Sequence, residues 1–466
     1  MEDRSAGRIA LFIAVLAGFL APFDISAVNI ALPTIGAEFS LDAVSLSWIS
    51  TAYLLSSALF LVPFGRIADI VGRKRVFSLG LTLFAGASFF MAFTFTPATI
   101  IPLRLIQGMG GALIYGTAVA ILTAVTPAED RGKALGIYTT SIYLGLSLGP
   151  FLGGFMTGQF GWRSIFLVNV PLGLFTLGLI RWRLHGEWAD ARGEGFDTPG
   201  AFLFGLSLVA VMLGFTWLPG ISGMLMILLG ILLLAGFVQW ERRTRHPLLD
   251  VGLFTGNRVF ALSNLAALIN YSATIAITFF LSFYLQSIRG FSPFMAGAIL
   301  VTQPLLQAIF SSPAGRLSDR MEPGKVASPG MGLCAVGLLF LAFIREDTSL
   351  LFILVALALL GTGFALFSSP NTNAVMSSVE KKCYGVASGT LGTMRLVGQM
   401  LSMGMAMTLF AVYIGQVEIG PANYPGLLSA IQSRFLIFTI LCIAGIYPSL
   451  ARGRMRDKEK ATCRVP

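Results

Sequence analysis

Asp24 is the one acid deep inside an apolar run of this chain, the run from Ile9 to about Pro33. A carboxylate at mid-membrane depth costs about 2.5–3.5 kcal/mol on insertion scales, so it needs a partner or a task. Arg104 is the candidate partner. In antiparallel helices, Asp24 lies roughly 22 Å in from one face and Arg104 roughly 8 Å in from the other. Within a hydrocarbon core about 30 Å thick the two share one depth. Such a pair has two uses. Asp24 can take up and release a proton while Arg104 tunes it, or the two can lock one helix to another. Both uses predict the same contact. Arg395 is a different case, because no acid lies at a similar depth in its own half of the chain. It either faces a cavity and meets an anionic or polar substrate group, or donates to carbonyls at a broken helix. Asn29, Gln107, Asn264, Asn270, Gln303 and Gln307 are uncharged polar residues in the same apolar runs. They are candidate cavity liners, although amides in membrane bundles commonly tie helices together.

What these residues do not make is also informative. The spans hold no histidine and no clustered nucleophile and base, so an enzyme is not expected. No Gly-x-x-x-x-Gly-Lys-Ser/Thr loop supports ATP use. No Cys or His spacing suggests a metal site, and no cofactor is expected.

The elements that must position these residues follow from composition. The chain has 466 residues, 55% hydrophobic and 12% charged, with a mean hydropathy of +0.80. A soluble globular protein carries about 25% charged residues. Apolar runs of about 20 residues signal membrane spans. The spacing predicts fourteen, near 9–32, 45–64, 76–96, 99–125, 134–158, 164–182, 200–218, 222–240, 258–286, 294–314, 327–344, 349–370, 385–414 and 430–450. The expected class is an all-α polytopic membrane protein. Of its 32 lysines and arginines, Arg163, Arg289 and Arg345 fall in gaps on one side. Arg104, Arg395 and Arg434 fall within or at the edge of spans, and the rest lie in gaps on the other side. This bias places both termini in the cytoplasm. It reads the net charge of +10 as a topology signal, not as a nucleic-acid footprint.

The densest charged gap is Gly65-Arg66-Ile67-Ala68-Asp69-Ile70-Val71-Gly72-Arg73-Lys74-Arg75. A weaker copy starts 250 positions later, Gly315-Arg316-Leu317-Ser318-Asp319-Arg320. Gly132-x-Ala134-x-Gly136 returns as Gly385-x-Ala387-x-Gly389, and Gly149 returns as Gly398. Spans one to six therefore repeat as spans nine to fourteen. The expected organisation is an N-terminal six-helix half over 1–183, a linker with two inserted helices over 184–256, a C-terminal half over 257–451 and a cytoplasmic tail over 452–466. Two such halves around a midplane site is a transporter plan. Glycines at 65 and 72 would allow a tight turn, and Asp69 and Arg73, four apart, would pair.

The charged loop resembles the signature loop of the major facilitator superfamily. Arg104-x-x-Gln107-Gly108-x-Gly110-Gly111-Ala112 resembles its fourth-helix motif. Gly145-x-x-x-Gly149-Pro150-x-x-Gly153-Gly154 resembles the fifth-helix motif of its antiporters. Asp24-x-x-x-Val28-Asn29-x-Ala31-Leu32-Pro33, with Gly161-Trp162-Arg163-x-x-Phe166-x-x-Asn169-x-Pro171-x-Gly173, resembles the fourteen-span drug:proton antiporter branch. The resemblance covers essentially the whole chain. It implies an exporter of small amphipathic compounds or drugs driven by protons, with export of one endogenous metabolite as the alternative and a non-transporting receptor as a remote one. It implies a monomer in the cell membrane. It also implies that Gly65, Arg66, Asp69, Gly72, Arg73, Gly315 and Asp319 form a conformational latch between the halves. Ile70 departs from the family's basic residue there, which the second copy keeps as Arg320. In the fifth-helix motif Pro150 bends the helix and the glycines clear one face, for tight packing or for a gasket between halves. With Asp24 the only embedded acid, the expected substrates are monocationic, neutral or zwitterionic.

Overall fold

The computed structural model describes residues 2–126, 131–184, 186–245, 247–274, 276–380, 383–415 and 417–453. The tail expected from 452 lies, beyond Gly453, outside the described residues. In lipid every backbone amide must be satisfied within its own segment, so the apolar runs fold as helices. The N-terminal six are α1 (Glu2–Phe39), α2 (Ala43–Val71), α3 (Arg73–Ala92), α4 (Pro97–Val125), α5 (Arg131–Phe160) and α6 (Arg163–Arg183). The inserted pair is α7 (Thr198–Trp217) and α8 (Ile221–Glu241), followed by the short α9 (Val251–Gly256). The second half begins with α10 (Arg258–Thr274) and α11 (Ala276–Phe283), which runs into a π turn at Tyr284–Ile288. It continues through α12 (Pro293–Leu300), α13 (Thr302–Arg320), α14 (Pro323–Ala342), α15 (Leu350–Ser377), α16 (Tyr384–Tyr413) and α17 (Tyr424–Ala451). Among the described residues these make 14 helices long and apolar enough to cross a membrane. The α12–α13 break has a local cause, since Pro304 lacks the N–H that would donate to the Leu300 carbonyl.

The repeat is visible in packing. In the first half Gly80 and Gly110 let α3 and α4 touch backbone to backbone, and in the second Gly330 and Gly363 do the same for α14 and α15. A Cβ at Gly108 would collide with the Tyr53 carbonyl of α2, and one at Gly361 with the Gln303 carbonyl of α13. Gly149 lies against the α1 backbone at Phe23 and Ala27, and Gly398 against α10 at Leu268 and Ser272. These contacts fix which residues of the halves are equivalent. Two six-helix pseudo-repeats therefore flank the inserted pair. That pair stands outside them, with α7 leaning on α2 and α16 and α8 resting on α7.

The halves meet on the side away from the termini. Gln286 Nε2 donates to the Ile30 carbonyl at 2.9 Å, and the Thr51 hydroxyl meets Met407 Sδ at 3.6 Å. The Ala43 N–H donates to Val417 O at 3.3 Å. The fifth-helix motif contributes here, and it corrects the one-face expectation. Gly145, Gly149 and Gly153 pack on α1 of the same half, whereas Gly154 packs on Pro293, and the Pro150 carbonyl abuts Gly297. The motif therefore presents two faces, one to α1 and one to α12 across the interface.

The charged loop also departs from expectation. Gly65 sits inside α2 with open space around its Cα, so it makes no turn. Gly72 alone turns the chain, at φ 130°, where other residues are strained. Arg73 pairs with Asp69 at 2.8 Å and with Asp190 at 2.8 Å. Arg66 meets Glu194 at 2.5 Å, and the Lys74 N–H donates to Glu187 at 2.8 Å. In this conformation the loop is clasped by the linker after α6. In the second copy, Asp319 accepts from Asn373 of α15 at 3.1 Å, and Gly315 faces Ser369 of the same helix.

Candidate functional site

Two of the interior polar groupings hold the residues singled out from the sequence. The first is built on Asp24, which is fully buried on α1. Arg104 of α4 donates to its Oδ2 at 2.5 Å. Gln107, one turn further along α4, donates to Oδ1 at 3.0 Å, and Asn169 of α6 donates to Oδ1 at 2.8 Å. Arg104 also donates to the Ile49 carbonyl at 3.0 Å and to Gln107 Oε1 at 2.5 Å, and stacks 4.6 Å over the Tyr53 ring. Gln107 reaches on to Ser88 of α3 at 2.9 Å. Asp24 and Arg104 thus make the contact that their helix positions predict. In the sequence Asn169 stands out only as part of the Gly161–Gly173 motif and not as a site residue; an amide two turns into span six was the available signal.

The second grouping is a small cavity of about 60 Å³ between the halves. Ser26, Asn29 and Leu146 line it from the first half; Tyr271, Gln303, Gln307, Phe364, Arg395 and Gln399 are among its liners from the second. Helix geometry keeps the two groupings apart. Ser26 is two residues from Asp24, about 200° around α1, so Asp24 faces away from the cavity, into its own half.

Of the seven expected liners, Asn29, Gln303, Gln307 and Arg395 are placed in the cavity wall and three are not. Gln107 belongs to the Asp24 cluster. Asn264 is fully buried and donates back to Phe260 O at 2.9 Å, as a helix amide does when no cavity is within reach. Asn270 faces Cys334 of α14. Among the described residues Arg395 donates to no carbonyl of a broken helix. It lies 5.2 Å over the Tyr271 ring, with Tyr115, Tyr138 and Tyr143 within electrostatic reach. Tyr271 itself takes an edge contact from Phe364 at 5.4 Å. Most phenylalanines are elsewhere, as in the packed group Phe279, Phe280, Phe283 and Phe410.

Comparison with known proteins agrees with this architecture. The Major Facilitator Superfamily profile matches residues 14–403 and again 260–462. The chain is 28% identical over 453 residues to the riboflavin transporter RibZ of Clostridioides difficile, covering 97% of this chain and 98% of that one. It is 30% identical over 403 residues to the multidrug resistance protein Stp of Mycobacterium tuberculosis, covering 85% and 74%. Among solved structures, a bacterial homolog of the human lysosomal transporter Spinster, inward-facing and unoccupied, superposes with a TM-score of 0.72 at 14% identity over 96% of this chain and 97% of that one. A D-xylose-proton symporter superposes with a TM-score of 0.64 at 14% identity over 93% and 96%. A family profile spanning the chain, a duplicated fourteen-helix fold and a cavity between its halves lead to one conclusion: the chain is a membrane transporter of the Major Facilitator Superfamily.

Proposed function

We propose that this transporter is a proton-coupled antiporter that exports a small molecule by alternating access, as a monomer in the cell membrane with both termini cytoplasmic. In this reading Asp24 carries the proton and Arg104, Gln107 and Asn169 hold its charged form. The observation that supports it is what stands at the equivalent place in the second half. Aligned on the glycine contacts, Asp24 corresponds to Ile269, Arg104 to Leu357 and Gln107 to Leu360. The same fold packs that position with aliphatic side chains. Replacing a buried ion pair by apolar groups of similar volume is often neutral or stabilising, so the fold itself does not require the pair. Movement of α1 then links the two groupings, because that helix carries Asp24 on one side and Ser26 and Asn29 on the other. When the cavity opens to the far side, the charged loop would exchange its linker contacts for contacts between the halves, with Gly315–Asp319 as the matching latch.

A second reading, export of one dedicated metabolite, is supported by the lining. Amides, hydroxyls and a guanidinium make a selective wall, and one relative is named as a riboflavin transporter. The test is proton flux in proteoliposomes under an imposed pH gradient, with a panel of drugs and polar metabolites added in turn. Substrate-driven flux in the wild type that is lost in a folded Asp24→Asn variant is the expected result. Flux that persists in Asp24→Asn removes Asp24 from the coupling step.

A further inference from the structure

The cavity contains a cation with nothing to balance it. Arg395 is half-buried in the wall, over the face of Tyr271, with the uncharged phenols of Tyr115, Tyr138 and Tyr143 within electrostatic reach. No Asp or Glu lines the cavity. Asp24 lies behind α1 and is already engaged by Arg104. Three amides share the wall with Arg395 and are more than nine-tenths buried: Gln303 at 9%, Gln307 at 4% and Gln399 at 7%. Gln307 Nε2 has only Tyr143 within weak hydrogen-bonding reach, and no side-chain hydrogen bond of Gln303 or Gln399 is found among the described residues. A buried polar atom without a strong partner, as at Gln307 Nε2, calls for an explanation.

Packing does not explain Arg395 either. It stands three residues before Gly398, and the residue three before the equivalent Gly149 is Leu146, which lines the opposite wall of the same cavity. The fold therefore accepts a leucine at this position. A guanidinium presents a planar fork of donors that matches a carboxylate or similar oxyanion. Tyr271 and Phe364 beside it supply aromatic surface for a flat body.

We infer that the transported molecule is an organic anion with a flat aromatic body, its anionic group held by Arg395 and the glutamine amides, and that organic cations are disfavoured. This rests on the cavity being the transport site, and it departs from the expectation of monocationic, neutral or zwitterionic substrates. In a site of net positive charge a cation is repelled where an anion is attracted.

The test uses the full chain in detergent micelles and two dyes sharing a xanthene core, 6-carboxyfluorescein as the anion and rhodamine 6G as the cation, followed by fluorescence polarisation. The expected result is at least tenfold tighter binding of carboxyfluorescein. Arg395→Gln is expected to weaken it at least tenfold without weakening rhodamine 6G, whereas Arg395→Lys retains part of it. Thermal unfolding of each variant serves as the folding control. The inference is overturned if rhodamine 6G binds as tightly, if carboxyfluorescein does not bind, or if a folded Arg395→Gln binds it unchanged. Proton flux in proteoliposomes separates this from the antiport reading. Rhodamine-driven flux without an anion response leaves antiport standing and removes the inference; anion binding that never moves protons does the reverse.

Discussion

Removing the charge of Asp24 tests the buried cluster directly. Breaking a buried ion pair by deleting one partner costs about 3–5 kcal/mol, since the other charge is left uncompensated. In Asp24→Asn, Arg104 keeps the Ile49 carbonyl, Gln107 Oε1 and the face of Tyr53. The loss then belongs near the lower end, about 3 kcal/mol. Unfolding entropies of about 2.1 cal/mol/K per residue give about 1 kcal/mol/K for a chain of 466 residues. The melting temperature should fall by about 3 °C in detergent. Arg104→Gln should cost a similar amount, because Asp24 retains the Gln107 and Asn169 bonds. The double variant holds no unpaired charge, so its loss should fall short of the sum by about 2 kcal/mol. Thermal unfolding of the four proteins, followed by intrinsic fluorescence, completes the cycle. Single variants within 1 °C of wild type, or strictly additive losses, would refute the reasoning.

Three further outcomes follow from the geometry. Gly154→Val should destabilise the state closed on the far side, because its side chain meets the Pro293 backbone. At about 1–3 kcal/mol for overpacking, the population should shift roughly 5- to 150-fold toward the opposite state. A membrane-impermeant maleimide added on the far side should then label a cysteine placed at Ser26 faster. Arg73→Ala should release the linker that Asp190 ties down. Cleavage at Glu187 and Glu194 by a glutamate-specific protease should rise about 1.4- to 5-fold, in keeping with a partly exposed ion pair worth about 0.2–1 kcal/mol. Arg163→Ala removes a clasp in which Arg163 donates to both Glu38 oxygens, at 2.6 and 3.0 Å, and to Thr94 O at 2.8 Å. That clasp is partly exposed, so the melting temperature should drop by no more than about 1 °C.

The sequence makes some of this architecture legible for a clear reason. Hydropathy runs and loop charge are one-dimensional signals, and they carry the fourteen spans directly. The Asp24–Arg104 contact was accessible because helix rise converts sequence position into depth. Depth says nothing about azimuth, however, and azimuth decides which polar residue meets a cavity. Asn264 and Gln303 are both amides in neighbouring spans, but one bonds its own helix and the other faces the cavity wall. The glycines misled in the same way. Gly65 and Gly72 look alike in the charged loop, yet only Gly72 has a turn to make. Gly154 adjoins Gly153 in sequence, and adjacent helix residues lie about 100° apart, so the two serve different neighbours.

The same duplication sharpens the reading of both charged sites. Equivalent positions experience the same backbone and the same helix neighbours, so where the halves differ, packing is held constant and chemistry is what changed. Asp24, Arg104 and Gln107 face Ile269, Leu357 and Leu360 across the pseudo-symmetry. Arg395 faces Leu146. The first half thus carries a neutralised charge pair hidden from the cavity, and the second carries an open charge within it. A site that holds and releases a proton gains from donors fixed around its carboxylate and from separation from a bound substrate. A site that recognises an anion gains from a cation with no internal competitor. In the proposed mechanism the proton and the substrate therefore act on different halves, and α1, which touches both, is the element through which binding at one site is felt at the other. If that is so, Ser26→Trp, which fills the cavity side of α1 without touching the ion pair, should block substrate binding while leaving the stability cycle of Asp24 and Arg104 unchanged. A cycle altered by Ser26→Trp would mean that the two sites are not separated in the resting protein.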